Sequence, residues 1–378
     1  MTPMTQFQPS TSTACSGFLH SDWQSLLRDN VTDLAELSDI LRIPSSITSK
    51  DAAAIQSLNV TRDYLSRIQP GNPNDPLLLQ ILPRQEELEI VAGFSNDPLD
   101  ETSCIQQTSL ADHDIPQRYS AKIKHNTPNN DFCLPILQKY PGRALIFVTD
   151  RCASHCRFCF RRHFLKKKSP SFSNHRIDTR HIRFSTEFEN DSDEVREFIL
   201  SGGDPLMLDD ADLDKLFHYI KNRHPGNRVR LHTRMPIMLP ERVTPQLVEM
   251  LRHFRHDPAG GAVYVVLHIN HRNELSDKVV SAIASIVDAG IPVLSQTVLL
   301  RNVNDRFETL LDLFEKLVDI RVIPYYLHQL DRVQGAAHFE VPTVKGQVLV
   351  SKLSLALPGY AVPGYVREIP GEFRKTRL

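Results

Sequence analysis

Six short apolar runs, separated by segments of mostly helical character, restrict the chain to few architectures. They are "ALIFVT" (144 to 149), "EFILSG" (197 to 202), "VRLHT" (229 to 233), "VYVVLHI" (263 to 269), "PVLSQTVLL" (292 to 300) and "IRVIPYYL" (320 to 327). Several are apolar at consecutive positions, as strands buried on both faces of a parallel sheet require. Between them, "DDADLDKLFHYIKNRHPG" opens on capping aspartates and stops at Pro225 and Gly226, and "SDKVVSAIASIVDAG" runs from Ser276 to Gly290. Strands and helices alternating at intervals of roughly 30 residues form right-handed βαβ units. The expected fold class is therefore α/β, with a parallel sheet that is open or barrel-like.

The chain before residue 136 reads differently. The first 18 residues are rich in Ser, Thr and Pro and are expected to be disordered. From Asp22 to Leu41 the apolar residues Leu26, Leu27, Val31, Leu34, Leu37 and Leu41 recur at helical spacing and predict one or two short helices. "QPGNPNDP" (69 to 76) and "NDPLDE" (96 to 101) are turn-rich breaks. The expected organisation is a tail over 1–18, a helical region over 19–135, a sheet-bearing region over 136–340 and a C-terminal segment over 341–378. Residues 165–196 are polar and mixed in charge, and they follow the first strand's loop where a compact barrel would place a helix. Lys166 to Lys168 invite a phosphate-binding reading, but a solvated insertion is the simpler one.

"TDRCASHCRFCFRRHF" (149 to 164) puts Cys152, Cys156 and Cys159 on the loop leaving the first strand, at the face where parallel barrels carry active sites. The other cysteines, Cys15, Cys104 and Cys133, are scattered. In a reducing compartment a cluster like this holds metal rather than forming disulfides. Two sites are compatible: zinc, with His155 or His163 as fourth ligand, or a [4Fe-4S] cluster whose three thiolates leave one iron open. The formal net charge of −1 gives no bias toward nucleic acid or membrane. The N-terminus has no basic start or apolar core, and no run of about 18 apolar residues appears, so a cytoplasmic protein with a small-molecule partner is expected.

The CxxxCxxC spacing, with Phe158 before the last cysteine, resembles the signature of the radical S-adenosylmethionine (SAM) superfamily, in which SAM chelates the open iron. "LSGGDPL" (200 to 206) is similar to its glycine-rich motif, with Ser201, Gly202, Gly203 and Asp204 matching the residues that hold the SAM amino group. Adjacent glycines there let backbone approach a ligand closely. Joined in order, "YPGRALIFVTDRCASHCRFCFRRHF", "LSGGDPLML", "HINHRNEL", "QTVLLRNVND", "RVIPYYLHQLDRVQGAAHF" and "GYAVPGYVREIPGEFRKT" resemble the lysine 2,3-aminomutase family. The resemblance is closest to its short branch, which makes β-lysine for modification of translation elongation factor P, and it runs from about residue 21 to the end.

The resemblance implies a partial (βα)6 radical SAM barrel with a helical N-terminal region and a C-terminal segment carrying a pyridoxal 5'-phosphate (PLP) lysine. It implies an isomerase that turns L-lysine into β-lysine by a radical 1,2-amino shift, using a [4Fe-4S] cluster, SAM, PLP and an external reducing electron donor. Cys152, Cys156 and Cys159 match the cluster ligands, and Lys375 in "GEFRKT" matches the lysine whose amine holds PLP. Lys139, Tyr140 and Arg143 match the phosphate contacts, and His268 and Gln296 line the cofactor sites. Arg161 matches the partner of the substrate carboxylate. Asp331 in "HQLDRVQG" and Glu368 in "VREIPG" match the acids that meet the lysine ammonium. Lys139 stands where longer relatives carry Arg, Glu368 where they carry Asp, and His328 where they carry Tyr. A radical SAM enzyme without PLP, such as a glycyl-radical activator, and a non-enzymatic zinc or iron–sulfur protein are the other classes open at this point.

Overall fold

A computed structural model of the chain describes residues 23–101, 136–163, 195–258 and 261–378. Nine strands form one sheet in sequence order: β1 (Ile136–Tyr140), β2 (Arg143–Thr149), β3 (Glu197–Gly202), β4 (Arg228–Thr233), β5 (Val263–His268), β6 (Val293–Leu299), β7 (Ile323–Gln329), β8 (Gly364–Arg367) and β9 (Thr376–Arg377). β2 through β8 are parallel, while β1 and β9 close the two edges as antiparallel partners. Each parallel strand lies beside its predecessor, the order that right-handed crossovers with helices on one face of the sheet produce.

The six apolar runs became β2 to β7. β7 starts at Ile323 rather than 320 because Arg321 takes a left-handed φ of 63° and its N–H donates to Val318 O, ending the preceding helix Phe307–Asp319. β1 joins β2 through a tight turn in which Gly142 has φ of 70°. The helices Asp210–Arg223, Pro245–His256 and Asp277–Asp288 start at Asp209, Thr244 and Ser276, whose side chains each accept from a backbone N–H three residues on. Their apolar stripes, such as Leu213, Leu216, Phe217 and Ile220, pack on Phe198, Leu200, Val229 and Leu231 of the sheet. Each such side chain stabilises the fold by about 1.5–3 kcal/mol on burial.

β2, β3 and β5 bury apolar residues at consecutive positions, as their sequences suggest, whereas β4 and β6 do not. In β4, Val229 and Leu231 are buried against the helices while Arg230 and His232 face the other way, and in β6 buried and half-buried residues alternate along the whole strand. The inner face is polar because it lines a cavity instead of a second layer of helices.

Trp23–Arg28 and Leu34–Leu41 are the two short helices expected near the N-terminus. Leu37, Leu41, Tyr64 and Leu78 belong to the same apolar core as Ile237 and Met238, so the helical region packs directly onto the barrel. The tail 1–18, Cys15, Cys104, Cys133 and the polar insertion up to residue 194 lie outside the described residues. Among the described residues, no helix is long and apolar enough to cross a membrane.

Candidate active site

The cavity, about 400 Å³, opens at the C-terminal ends of the parallel strands and continues down their inner face. Cys152, Cys156 and Cys159 line its upper wall on the loop after β2. That loop is held by backbone contacts from the N-terminal region. Asn59 donates from its side chain to Cys152 O at 3.2 Å, Gln56 donates to Cys156 O at 3.3 Å, and the His155 N–H donates to Asn59 O at 2.9 Å. Beneath it, buried Glu87 accepts from Arg157 Nε at 2.8 Å and pairs with Arg162 as well. Glu87→Ala strands two buried guanidinium groups, so it should cost about 3–5 kcal/mol of unfolding free energy. A denaturant titration showing a loss below about 1 kcal/mol, the level of a surface pair, would contradict this.

Neither histidine weighed as a zinc ligand faces the cavity. His155 Nδ1 lies 2.8 Å from Ser57 O, and His163 Nε2 lies 3.0 Å from Gln334 O. The three thiols are half-buried and without disulfide partners. Burial pushes the Cys152 thiol well above its usual range and the Cys159 thiol up to about 11. Three soft sulfur donors on one wall fit an iron–sulfur cluster with one iron open to the cavity.

The glycine turn after β3 serves this loop. Gly202 has φ of 109°, and a Cβ there would lie 2.5 Å from Thr149 O; one on Gly203 would lie 2.2 Å from Arg151 O. The Gly203 N–H donates to Thr149 O at 2.6 Å. The neighbouring backbone by itself therefore demands glycine at both positions. Both oxygens of Asp204 are likewise committed to protein, accepting from Leu206 N, Thr233 Oγ1, Arg234 N and Met235 N. Ser201 Oγ accepts from Arg161 NH1 at 3.1 Å.

Deeper in the cavity five side chains alternate in charge. Pairing of Val366 with Arg377 folds the chain terminus back along β8 and leaves Lys375 only 22% exposed, its amine donating to Glu368. Lys139 donates to Glu368 at 3.1 Å and lies 3.5 Å from Glu101. Glu101 in turn takes Arg161 by two parallel contacts, at 2.8 and 3.0 Å. Burial opposes ionisation of Glu368, but Lys375 and Lys139 overcome it and hold the carboxyl well below the usual range. Asp331, on the loop after β7, is pushed up to about 7 by burial and by Glu368, against the pull of Lys375.

Arg143 stacks over Tyr140, and Arg230 stands nearby on the same inner face. Lys139, Arg143 and Arg230 make a cationic floor that fits a phosphate, and the Lys375 amine fits a PLP anchor. Gln296, His268, His232 and His328 complete the walls. Burial holds all three imidazoles neutral, His328 down to about 3 with help from Lys375. The Nε2 of His232 is buried without a protein partner, as a ligand contact would be.

The three cysteines and the residues matched to SAM, PLP and substrate thus all line one cavity, whereas His155 and His163 do not. Glu101, Arg230, His232 and Arg234 line it too and were missed. The last three sit at alternate positions of "RLHTR", a polar period of two that marks an inward face.

The description "Radical SAM superfamily" fits residues 146–314. L-lysine 2,3-aminomutase of Escherichia coli (strain K12) is 37% identical over 360 residues, 94% of each chain. L-lysine 2,3-aminomutase of Haemophilus influenzae is 33% identical, over 94% of this chain and 95% of its own. That of Clostridium subterminale is 32% identical, over 94% of this chain and 77% of its own.

Proposed function

Because the chain belongs to the L-lysine 2,3-aminomutase family of radical SAM enzymes, we propose that it converts L-lysine to β-lysine in the cavity described above. The family's cofactors are a [4Fe-4S] cluster, SAM and PLP. When bound, they supply the radical that takes and returns a hydrogen and the conjugated ring that eases nitrogen migration. The observation that carries the reading is that Lys375, Arg161, Asp331 and Glu368 line the same cavity as the three cysteines.

The protein's own part is holding and orienting. Cys152, Cys156 and Cys159 hold the cluster; Ser201 to Asp204, His268 and Gln296 frame SAM beside it. Lys375 anchors PLP, with Lys139, Tyr140 and Arg143 at its phosphate. Glu101 on Arg161 has the pose that a substrate carboxylate would take over, bidentate on a planar guanidinium. Glu368 and Asp331 are the two carboxyls of the cavity that would meet the substrate's side-chain ammonium.

Asp331→Asn removes one of the two acids. Losing one partner of such a pair costs roughly 2–5 kcal/mol, so lysine use should fall at least about thirty-fold while PLP attachment stays intact. The check is kcat/KM for lysine against glutamate in both proteins; wild-type preference for glutamate would refute a cation-selecting site. The pH dependence has a definite sign. A carboxyl at about 7 must lose its proton to meet an ammonium, so lysine binding should tighten as pH rises through about 7 and flatten above it. In Asp331→Asn this slope should vanish. The same raised pKa makes this group favour the folded state at low pH, an advantage lost as pH climbs from about 4 to about 7.

The chain matches the E. coli relative over 94% of that protein but the Clostridium relative over only 77%. On the motif resemblance to the family's short branch, we infer that the β-lysine is made in the cytoplasm for translation elongation factor P, with electrons from a low-potential one-electron donor. Mass spectrometry of the factor from cells with and without this protein tests the link; identical masses would contradict it.

A further inference from the structure

A guanidinium at the end of β4 is aimed at one of the three thiols. Arg234 NH1 lies 2.7 Å from Cys156 Sγ. The rest of the side chain is clamped. NH2 donates to Glu274 Oε1 at 2.9 Å and to Gln80 Oε1 at 2.7 Å. Glu274, Gln80 and Asn270 are fully buried and tie one another: Gln80 Nε2 donates to Glu274 at 2.8 Å, and Asn270 donates to Gln80 at 2.9 Å and to Glu274 at 3.2 Å. The Arg234 backbone N–H is fixed by Asp204 at 2.7 Å, and the rings of Tyr64 and Phe158 lie 5.8 and 5.6 Å from the guanidinium carbon. A group held at so many points has no freedom to turn away from the sulfur, and an arginine stays charged at any relevant pH.

We propose that Arg234 donates a hydrogen bond to the Cys156 thiolate of the bound cluster and so raises the cluster's reduction potential. Hydrogen bonds to ligating sulfur draw electron density from a cluster and favour its more negative state. One electron from an external low-potential donor takes [4Fe-4S]2+ to [4Fe-4S]+; it stays on the cluster, and no bond forms or breaks. Arg234 thus acts through Cys156 as a positioning residue, on the reading that the three cysteines hold the cluster.

The test is a redox titration followed by electron paramagnetic resonance on the full-length protein reconstituted with iron and sulfide, without SAM. Omitting SAM means that a role confined to binding SAM would leave the midpoint unmoved. Arg234→Gln should carry the wild-type iron content with a more negative midpoint, and Arg234→Lys should recover part of the shift. Glu274→Gln keeps the shape of the clamp and removes its countercharge, so its midpoint should move the other way, and it decides the matter if Arg234→Gln does not fold. Cluster-loaded variants with the wild-type midpoint overturn the proposal. If wild type takes up no cluster, the cysteine reading itself has failed and the proposal falls with it.

Discussion

The Cys156→Ala protein should fold and cleave no SAM. Its loop is held by backbone groups, through Asn59, Gln56 and Gln80, so the thiol is not what keeps it in place. What the substitution removes is one of three attachments to a cluster that has already given up its fourth. Two thiolates hold such a cluster poorly, and without it SAM has neither a binding iron nor an electron source. Iron content should drop and 5'-deoxyadenosine formation should fall to background, with the circular dichroism of the fold unchanged. SAM cleavage at the wild-type rate would make the cluster assignment wrong.

Lys375→Ala should keep its cluster and lose covalently held PLP altogether. The side chain enters from a terminal hairpin, β8 to β9, and contributes no packing to the apolar core. Its loss leaves Glu368 still paired with Lys139, so the cavity does not carry an uncompensated charge. The attachment, by contrast, has no substitute, because it requires an amine at that place. Borohydride reduction of the wild-type holoenzyme followed by peptide mapping should put the label on Lys375. A label on Lys352, which is exposed on the helix Thr343–Ala356, would sink the assignment.

The barrel strands were legible because β2 to β7 are apolar runs bounded by capped helices. β1, β8 and β9 were not: "ILQKY", "GYVR" and "TR" are short and polar, and become strands only because an edge of the sheet is there to pair with. At the site, the cysteine spacing speaks for itself, while Lys375, Asp331 and Glu368 were found by resemblance, since nothing local distinguishes them from surface charges. Glu101 was invisible for a different reason. It lies in "NDPLDE", a turn by composition, and its meaning comes from Arg161, a contact across 60 residues that no local pattern encodes. The glycines after β3 stand out in the sequence, but their packing against the backbone of the cysteine loop, which alone requires glycine there, has no local signal.

The most direct test of the account is product formation by the holoenzyme. The protein is reconstituted without oxygen in iron, sulfide and PLP, then given L-lysine, SAM and a low-potential reductant, and the amino acids are resolved by mass spectrometry and NMR. β-Lysine should accumulate well beyond the amount of SAM consumed, as an isomerase that regenerates its radical source requires. A protein loaded with cluster and PLP that leaves lysine unchanged would contradict the proposed activity.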